Sequence, residues 1–378
     1  MRRFVLLVAL AAGCREGADV SLGDLPSGAP DGEATSDAAS SDNASNDRAP
    51  NDDGSNDLNS RDTGPSLCPP GAEKVGAGTS ALLAECAGFG CAATGGLRGC
   101  IYHVTSLADS GRGTLREAAE SLEPLWIVFD VSGNIDLVSS INVESDKTID
   151  GRAKAVAVRS YGLIIGATRN NIVIENMTFL NGAEASNNDA IQMLQANTIW
   201  VDHCSFSNYP DGLIDITHAA TDVTVSWSLF SNHDLVMLIG RSAADVGDTV
   251  IRVTLHHNWW NQIGSYAPRA RFGKVHTFNN LIDRWKSAAS SITMEGQLSS
   301  ESNIFVALND KGAIATTQGS DPTSGKARST ADWLQNDATV QDNDRDAVFD
   351  PSTFYPYVAL PANADLQAAI TAGAGAKR

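Results

Sequence analysis

Residues 254–282 read TLHHNWWNQIGSYAPRARFGKVHTFNNLI, and the two ends of this stretch, TLHHNWW (254–260) and HTFNNLI (276–282), align with each other. Four further segments fall into the same frame: VIENMTF (173–179), WVDHCSF (200–206), TVSWSLF (224–230) and SSESNIF (299–305). They recur about every 22 to 30 residues, the signature of a repeat architecture. Each alternates apolar and polar residues and ends in a large apolar one, as a short strand with one inward face does. The fifth column reads Met177, Cys204, Ser228, Asn258, Asn280, Asn303.

One strand per turn, repeated without intervening helices, predicts an all-β chain wound as a right-handed single-stranded parallel β-helix, each turn bonding only to its neighbours. In such a coil Asn258, Asn280 and Asn303 stack, and each amide bonds to the next and to a bend in the backbone, so the buried polar column is satisfied. A β-sandwich would explain neither the repeat length nor that column. The open first turn needs a cover. GTLREAAESL supplies an N-terminal capping helix: Thr114 with Glu117 forms a capping box, followed by Leu115, Ala118, Ala119 and Leu122 at helical spacing. NADLQAAITAGAG, with Asn363 as N-cap, predicts a second helix on the side or far end of the coil.

Three regions follow from composition. In residues 1–14, MRRFVLLVALAAGC, two arginines precede an apolar run of about ten residues, a signal-peptide core too short to span a bilayer. Small residues lead to Cys14, as at the cleavage site of bacterial lipoproteins, so Cys14 is the expected lipidation site of a secreted or outer-membrane, cell-surface protein that meets the membrane only through its lipid. Residues 15–67 are rich in Asp, Ser and Asn and poor in large apolar residues, and form a disordered tether. No spacing of those aspartates repeats as a calcium loop would. Residues 68–378 hold the folded domain.

The chain has 45 Asp+Glu against 27 Lys+Arg, about half of the excess lying in the tether. This balance argues against a nucleic-acid partner, which requires clustered positive charge. Cys68, Cys86, Cys91 and Cys100 suggest two bridges at the start of the domain, with connectivity open, while Cys204 sits in an apolar stretch as a small buried residue. His256 and His257 would face opposite sides of a strand; these, with His203, His233 and His276, read as structural repeat or edge positions.

The segments ECAGFGCAATGG, VTSLADSGRGTLREA, TIDGR, IWVDHCSFSNYPDGLIDI, VTVSWSLFSNHDLVMLIG, VTLHHNWW and APRARFGKVHTFNN occur here in the order and spacing of the pectate and pectin lyases, polysaccharide lyase family 1, which the chain resembles from about Cys86 onward. The resemblance implies a parallel β-helix that cleaves polygalacturonate by β-elimination with calcium. It places calcium ligands at Asn187, Asp189, Asp211 and Asp215; independently, Asp211 and Asp215 lie four apart and would share one side of an extended strand. It also implies an arginine base in Arg-x-Pro-x-x-Arg, whose proline is Pro268 and whose second arginine is Arg271, but the first falls on Tyr266, and the family's usual lysine falls on Leu235. Arg269 and Arg271 offer planar donor forks for a uronate carboxylate. Tyr266 is the candidate replacement base, with a sugar-stacking or surface ring as the alternative.

Three functions remain: a calcium-assisted monomeric lyase on polygalacturonate or a related acidic polysaccharide, a non-catalytic polysaccharide-binding surface protein, or a glycoside hydrolase using Asp211 and Asp215.

Overall fold

The computed structural model describes residues 66–185 and 187–377. The expected signal peptide, Cys14 and nearly all of the expected tether lie outside the described residues. The domain is a parallel β-helix of three sheets. Ten strands, from Cys100–Val104 to Lys326–Thr330, form the first sheet; nine from Gly133–Asp136 to Trp333–Gln335 form the second; nine from Ile141–Asn142 to Thr339–Val340 form the third.

Each turn therefore contributes three strands rather than one. In the repeat VIENMTF, Asn170–Glu175 ends a strand of the first sheet, Asn176 and Met177 turn the corner, and Thr178–Gly182 begins the second sheet. The residue at this corner takes a left-handed conformation in every repeat: Asn176, His203, Trp227, His257, Asn279 and Ser302 have φ between 44° and 56°. That bend also corrects the reading of the histidine pair. His257 lies beyond the strand Arg252–His256, and its Nδ1 comes to 2.9 Å from that of His256 instead of pointing away.

The asparagine column closes as a ladder. Asn280 Oδ1 accepts from the backbone N–H of Asn258 at 2.9 Å and from its Nδ2 at 3.0 Å, while Asn280 Nδ2 donates to Leu255 O at 2.8 Å and Asn303 Oδ1 at 2.9 Å. Ser228 and Cys204 extend it with smaller groups, Cys204 N–H donating to Ser228 Oγ at 3.1 Å. Within the coil, Phe179, Phe206, Phe230 and Trp260 stack at 5.1–5.2 Å between ring centroids, one ring per turn.

Thr114 accepts from Glu117 N–H, and the helix Leu115–Ala119 buries Leu115, Ala118 and Ala119 over the first turn. Leu122 lies past its end and is exposed. The helix Ala364–Gly373, capped by Asn363, packs Leu366 and Ile370 on Leu281 and Ile304 at the side of the coil. Beyond it the chain runs down three successive corners: Gly375 N–H donates to Trp227 O, Ala376 N–H to Ser205 Oγ, and Lys377 N–H to Asn176 Oδ1.

Residues 88–96 cover the outer face of the first sheet by donating N–H groups to its threonines: Phe89 to Thr254, Gly90 to Thr224 and Gly96 to Thr148. A Cβ on Gly90 would lie 2.2 Å from Ile199 O, so only glycine allows that approach. Cys86 and Cys91 are bridged. The second expected bridge is not formed: Cys68 and Cys100 are free thiols, and burial followed by a hydrogen bond with Cys68 pushes the Cys100 thiol up to about 12. Cys204 is fully buried.

Candidate active site

On the third sheet, parallel register places Gln192, Asp215, Leu238, Arg269 and Ser291 side by side on successive turns. Their sequence neighbours Ile191, Met193, Ile214, Ile216 and Ala270 are buried in the core. Period-two alternation therefore points this column outward.

At one end of it are the carboxylates. Asp189, on the turn before the strand Ile191–Leu194, accepts from Gly212 N–H at 2.5 Å through Oδ1 and from Gln192 Nε2 at 2.5 Å through Oδ2. A Cβ on Gly212 would stand 2.5 Å from Asp189 Oδ1 and 2.8 Å from Asp215 Oδ1, so the two carboxylates cradle a spot that only glycine leaves open. Burial first, then the charges of Asp189 and Asp211, pushes the Asp215 carboxyl up to about 8. Burial likewise raises Asp189, with the charge of Asp211 adding to it. Crowded carboxylates of this kind suit a hard cation with oxygen ligands. The two other expected ligands stand apart from the cradle. Asp211 lies on the bend before the strand Ile214–Thr217 and is exposed, so it does not share an extended strand with Asp215. Asn187 is exposed at a left-handed bend, φ 59°, and its backbone oxygen accepts from Gln192 Nε2 at 3.1 Å.

At the other end lie the basic groups. Tyr266, with φ 63°, is partly exposed; Arg269 Nη1 donates to its hydroxyl at 3.1 Å, and the Arg269 guanidinium sits 5.4 Å from the centre of the ring. Both arginines meet a residue that the sequence reading missed. Asp321 accepts from Arg269 Nη2 at 3.1 Å and from Arg271 Nε at 3.0 Å, and also from Thr293 Oγ1 at 2.7 Å. Burial opposes its charge, but the bonds from Thr293 and Arg271 and the two guanidinium charges hold its carboxyl below the usual range. Two guanidiniums against one carboxylate leave one net positive charge beside Tyr266. Arg271 Nη1 additionally donates to Arg241 O at 2.9 Å. No motif marks Asp321: it lies 50 residues beyond Arg271 and reaches it only through the winding of the coil.

Leu235 is exposed and borders a cleft of about 530 Å³ with Asp211, His233, Gln262 and Lys286. Lys286, also unflagged by the sequence, brings an ammonium to this cleft, 2.6 Å from Asp234. Three histidines are held neutral by burial: His256 lies well below its usual range, His257 near 4 and His276 near 3.

The family profile described as pectate lyase matches residues 84–378. Pectate lyase 1 of Cryptomeria japonica is 36% identical over 253 residues, 60% of this chain and 68% of that protein. Pectate lyase 1 of Ambrosia artemisiifolia is 34% identical over 297 residues, 71% and 75% of the two chains. The crystal structure of jun a 1, the major allergen from cedar pollen, superposes with a TM-score of 0.70 at 30% identity, covering 78% of this chain and 94% of that one. The chain belongs to the pectate lyase family.

Proposed function

We propose that the protein is a calcium-assisted lyase that cleaves polygalacturonate, or a closely related polyuronate, by β-elimination with Tyr266 as the base. The observation that carries this is the outward column of the third sheet, with the Asp189/Asp215 cradle at one end and Tyr266 beside Arg269 at the other. Asp215 and Arg269 are separated by one strand, about 10 Å at two strand spacings, which leaves room for a sugar ring. Asp189 and Asp215, with Asp211 at the edge, would hold calcium, which when bound draws charge from a uronate carboxylate and makes the adjacent C5–H more acidic. Tyr266 Oη, as phenolate, takes that proton; the C5–H electron pair becomes the C4–C5 double bond, and the C4–O bond breaks, sending its pair to the leaving oxygen. Arg269 Nη1, already donating to Tyr266 Oη, fixes the position of that oxygen. Lys286 lines the same cleft as Leu235, the position of the family's lysine, and would have to leave its pair with Asp234 to meet a uronate.

A binding protein without turnover is the second reading, favoured by the engagement of both guanidiniums by Asp321. Export and lipid attachment at Cys14 complete the proposal and are tested by labelling with a radioactive fatty acid and loss of label in Cys14→Ser. The deciding assay is ultraviolet absorbance of the unsaturated product from polygalacturonate, with and without chelator. Tyr266→Phe keeps the ring and removes the oxygen, so turnover should fall roughly a hundredfold to ten-thousandfold with little change in substrate affinity. Equal turnover would put the base elsewhere. Absence of unsaturated product from the parent protein on any polyuronate would leave the binding reading, and reducing sugar without absorbance would mean hydrolysis.

A further inference from the structure

The first sheet carries an outward column of its own, in which register makes Asp150, Glu175, Asp202 and Ser226 neighbours on successive turns. His203 follows Asp202 at the corner. One ligating atom from each of Glu175, Asp202 and His203 lies within 4.8 Å of the other two, a grouping of three that no other His, Cys, Asp or Glu side chains achieve among the described residues. Together with Glu85, Arg152 and Lys377 they line a cavity of about 290 Å³.

An independent observation marks the cavity as built for a ligand. Glu175 is 5% exposed, and its buried Oε2 has no hydrogen-bond partner. An oxygen in that position costs free energy unless a cation or donor meets it. The protein's own cations are engaged elsewhere. Arg152 gives Nε and Nη2 to Asp150 at 2.9 and 2.7 Å, and Lys377 Nζ donates to Ala372 O at 2.8 Å. Around the cavity three carboxylates, Glu85, Glu175 and Asp202, thus face Lys377 and an Arg152 that Asp150 already holds.

The surroundings orient the other two groups. Asp202 Oδ1 accepts from Ser226 Oγ, which itself accepts from Trp200 Nε1 at 2.9 Å. The His203 ring stacks on Trp227, with its Nδ1 2.6 Å from Asp202 Oδ2. The Ser226 hydroxyl and the Trp227 ring thus hold these two side chains in place.

We propose that Glu175, Asp202 and His203 bind one divalent first-row transition-metal ion, zinc or an ion of its kind, on a different sheet from the calcium cradle. An imidazole nitrogen with two carboxylate oxygens is a donor set for zinc and its neighbours, whereas calcium takes oxygen ligands. Three protein ligands leave a further position facing the cavity. The ion ties together two consecutive turns.

The test titrates the whole protein, in excess calcium to fill the other site, with zinc by calorimetry and with cobalt by visible absorption. One equivalent should bind, and Glu175→Gln and His203→Gln should each weaken it at least tenfold while circular dichroism stays unchanged. Asp215→Asn should leave zinc affinity as it was. His103→Gln serves as a second control, because His103 Nδ1 lies 2.9 Å from Asp130 at an exposed position. No binding by the parent protein overturns the proposal, as does binding that survives both ligand variants or is abolished by His103→Gln. Should a ligand variant fail to fold, the cobalt spectrum of the parent still decides: a tetrahedral nitrogen–oxygen spectrum supports the site, and an all-oxygen octahedral one refutes it.

Discussion

Replacing Asn280 by alanine tests whether the asparagine ladder holds the coil together or merely fills it. The side chain makes four hydrogen bonds: two accepted from Asn258, and one donated to each of Leu255 O and Asn303 Oδ1. Removal has unequal consequences among these partners. Asn258 Nδ2 keeps Val225 O at 2.8 Å, and Asn303 Oδ1 keeps the backbone N–H of residue 280 at 2.9 Å. The backbone N–H of Asn258, fully buried, is left with nothing. An orphaned buried donor costs about 1–3 kcal/mol, and each of three remaining bonds contributes about 0.5–1.5 kcal/mol net. The sum is roughly 2.5–7.5 kcal/mol, a large share of the about 5–15 kcal/mol typical of a native fold. Urea unfolding followed by tryptophan fluorescence should show that loss as a lowered midpoint at unchanged slope. Asn142→Ala, at an exposed strand position, should move the midpoint by no more than about 0.5 kcal/mol. Because Asn258 and Asn280 share two bonds, the double variant should cost less than the sum of the single ones. A cost below about 1 kcal/mol for Asn280→Ala, or strict additivity of the pair, would refute the ladder as a stabilising unit.

Three further outcomes are expected. Asp215 and Asp189 titrate above the range they have in the unfolded chain, so the folded protein binds extra protons between about pH 4 and 8. Stability in chelator should therefore fall as pH rises through that window, with Asp215→Asn removing much of the slope and calcium flattening it; an unchanged slope in thermal melts of Asp215→Asn would contradict this. Asp321→Ala should release Arg269 and Arg271, tightening oligogalacturonate binding several-fold in calorimetry while lowering thermal stability; weaker binding would mean that the arginines need Asp321 to be positioned. Mild oxidation should join Cys68 to Cys100, seen as a tryptic cross-link that is absent in Cys68→Ser; persistence of two free thiols after oxidation would count against their proximity.

The coil was legible because identical amides recur at one position of a repeat, and Asn258, Asn280 and Asn303 have few uses other than to stack. Three strands per turn were not legible, since the corner residues carry no common chemical mark. His203, Trp227 and Ser302 adopt the same left-handed bend as Asn176 and Asn279, and none is glycine. A seven-residue unit that hides a corner thus reads as one strand. Of the candidate site, the aspartates were named through the family resemblance, whereas Asp321 and Lys286 lie on other turns and join it only through the winding. The Glu175–Asp202 pair was within reach of the same alignment, as both occupy its third column, one position before the corner; only the fifth column was read for its chemistry.

The hydrogen bonds of residues 375–377 to Trp227, Ser205 and Asn176 have a consequence in time. Asn176 and Lys377 are 201 residues apart. At about 5–20 residues/s of synthesis, the corner at Asn176 leaves the ribosome on the order of 10 to 40 s before the segment that covers it. Through that interval Asn176 Oδ1 and the Ser205 hydroxyl wait without these donors, so this seam is among the last parts of the domain that synthesis can complete.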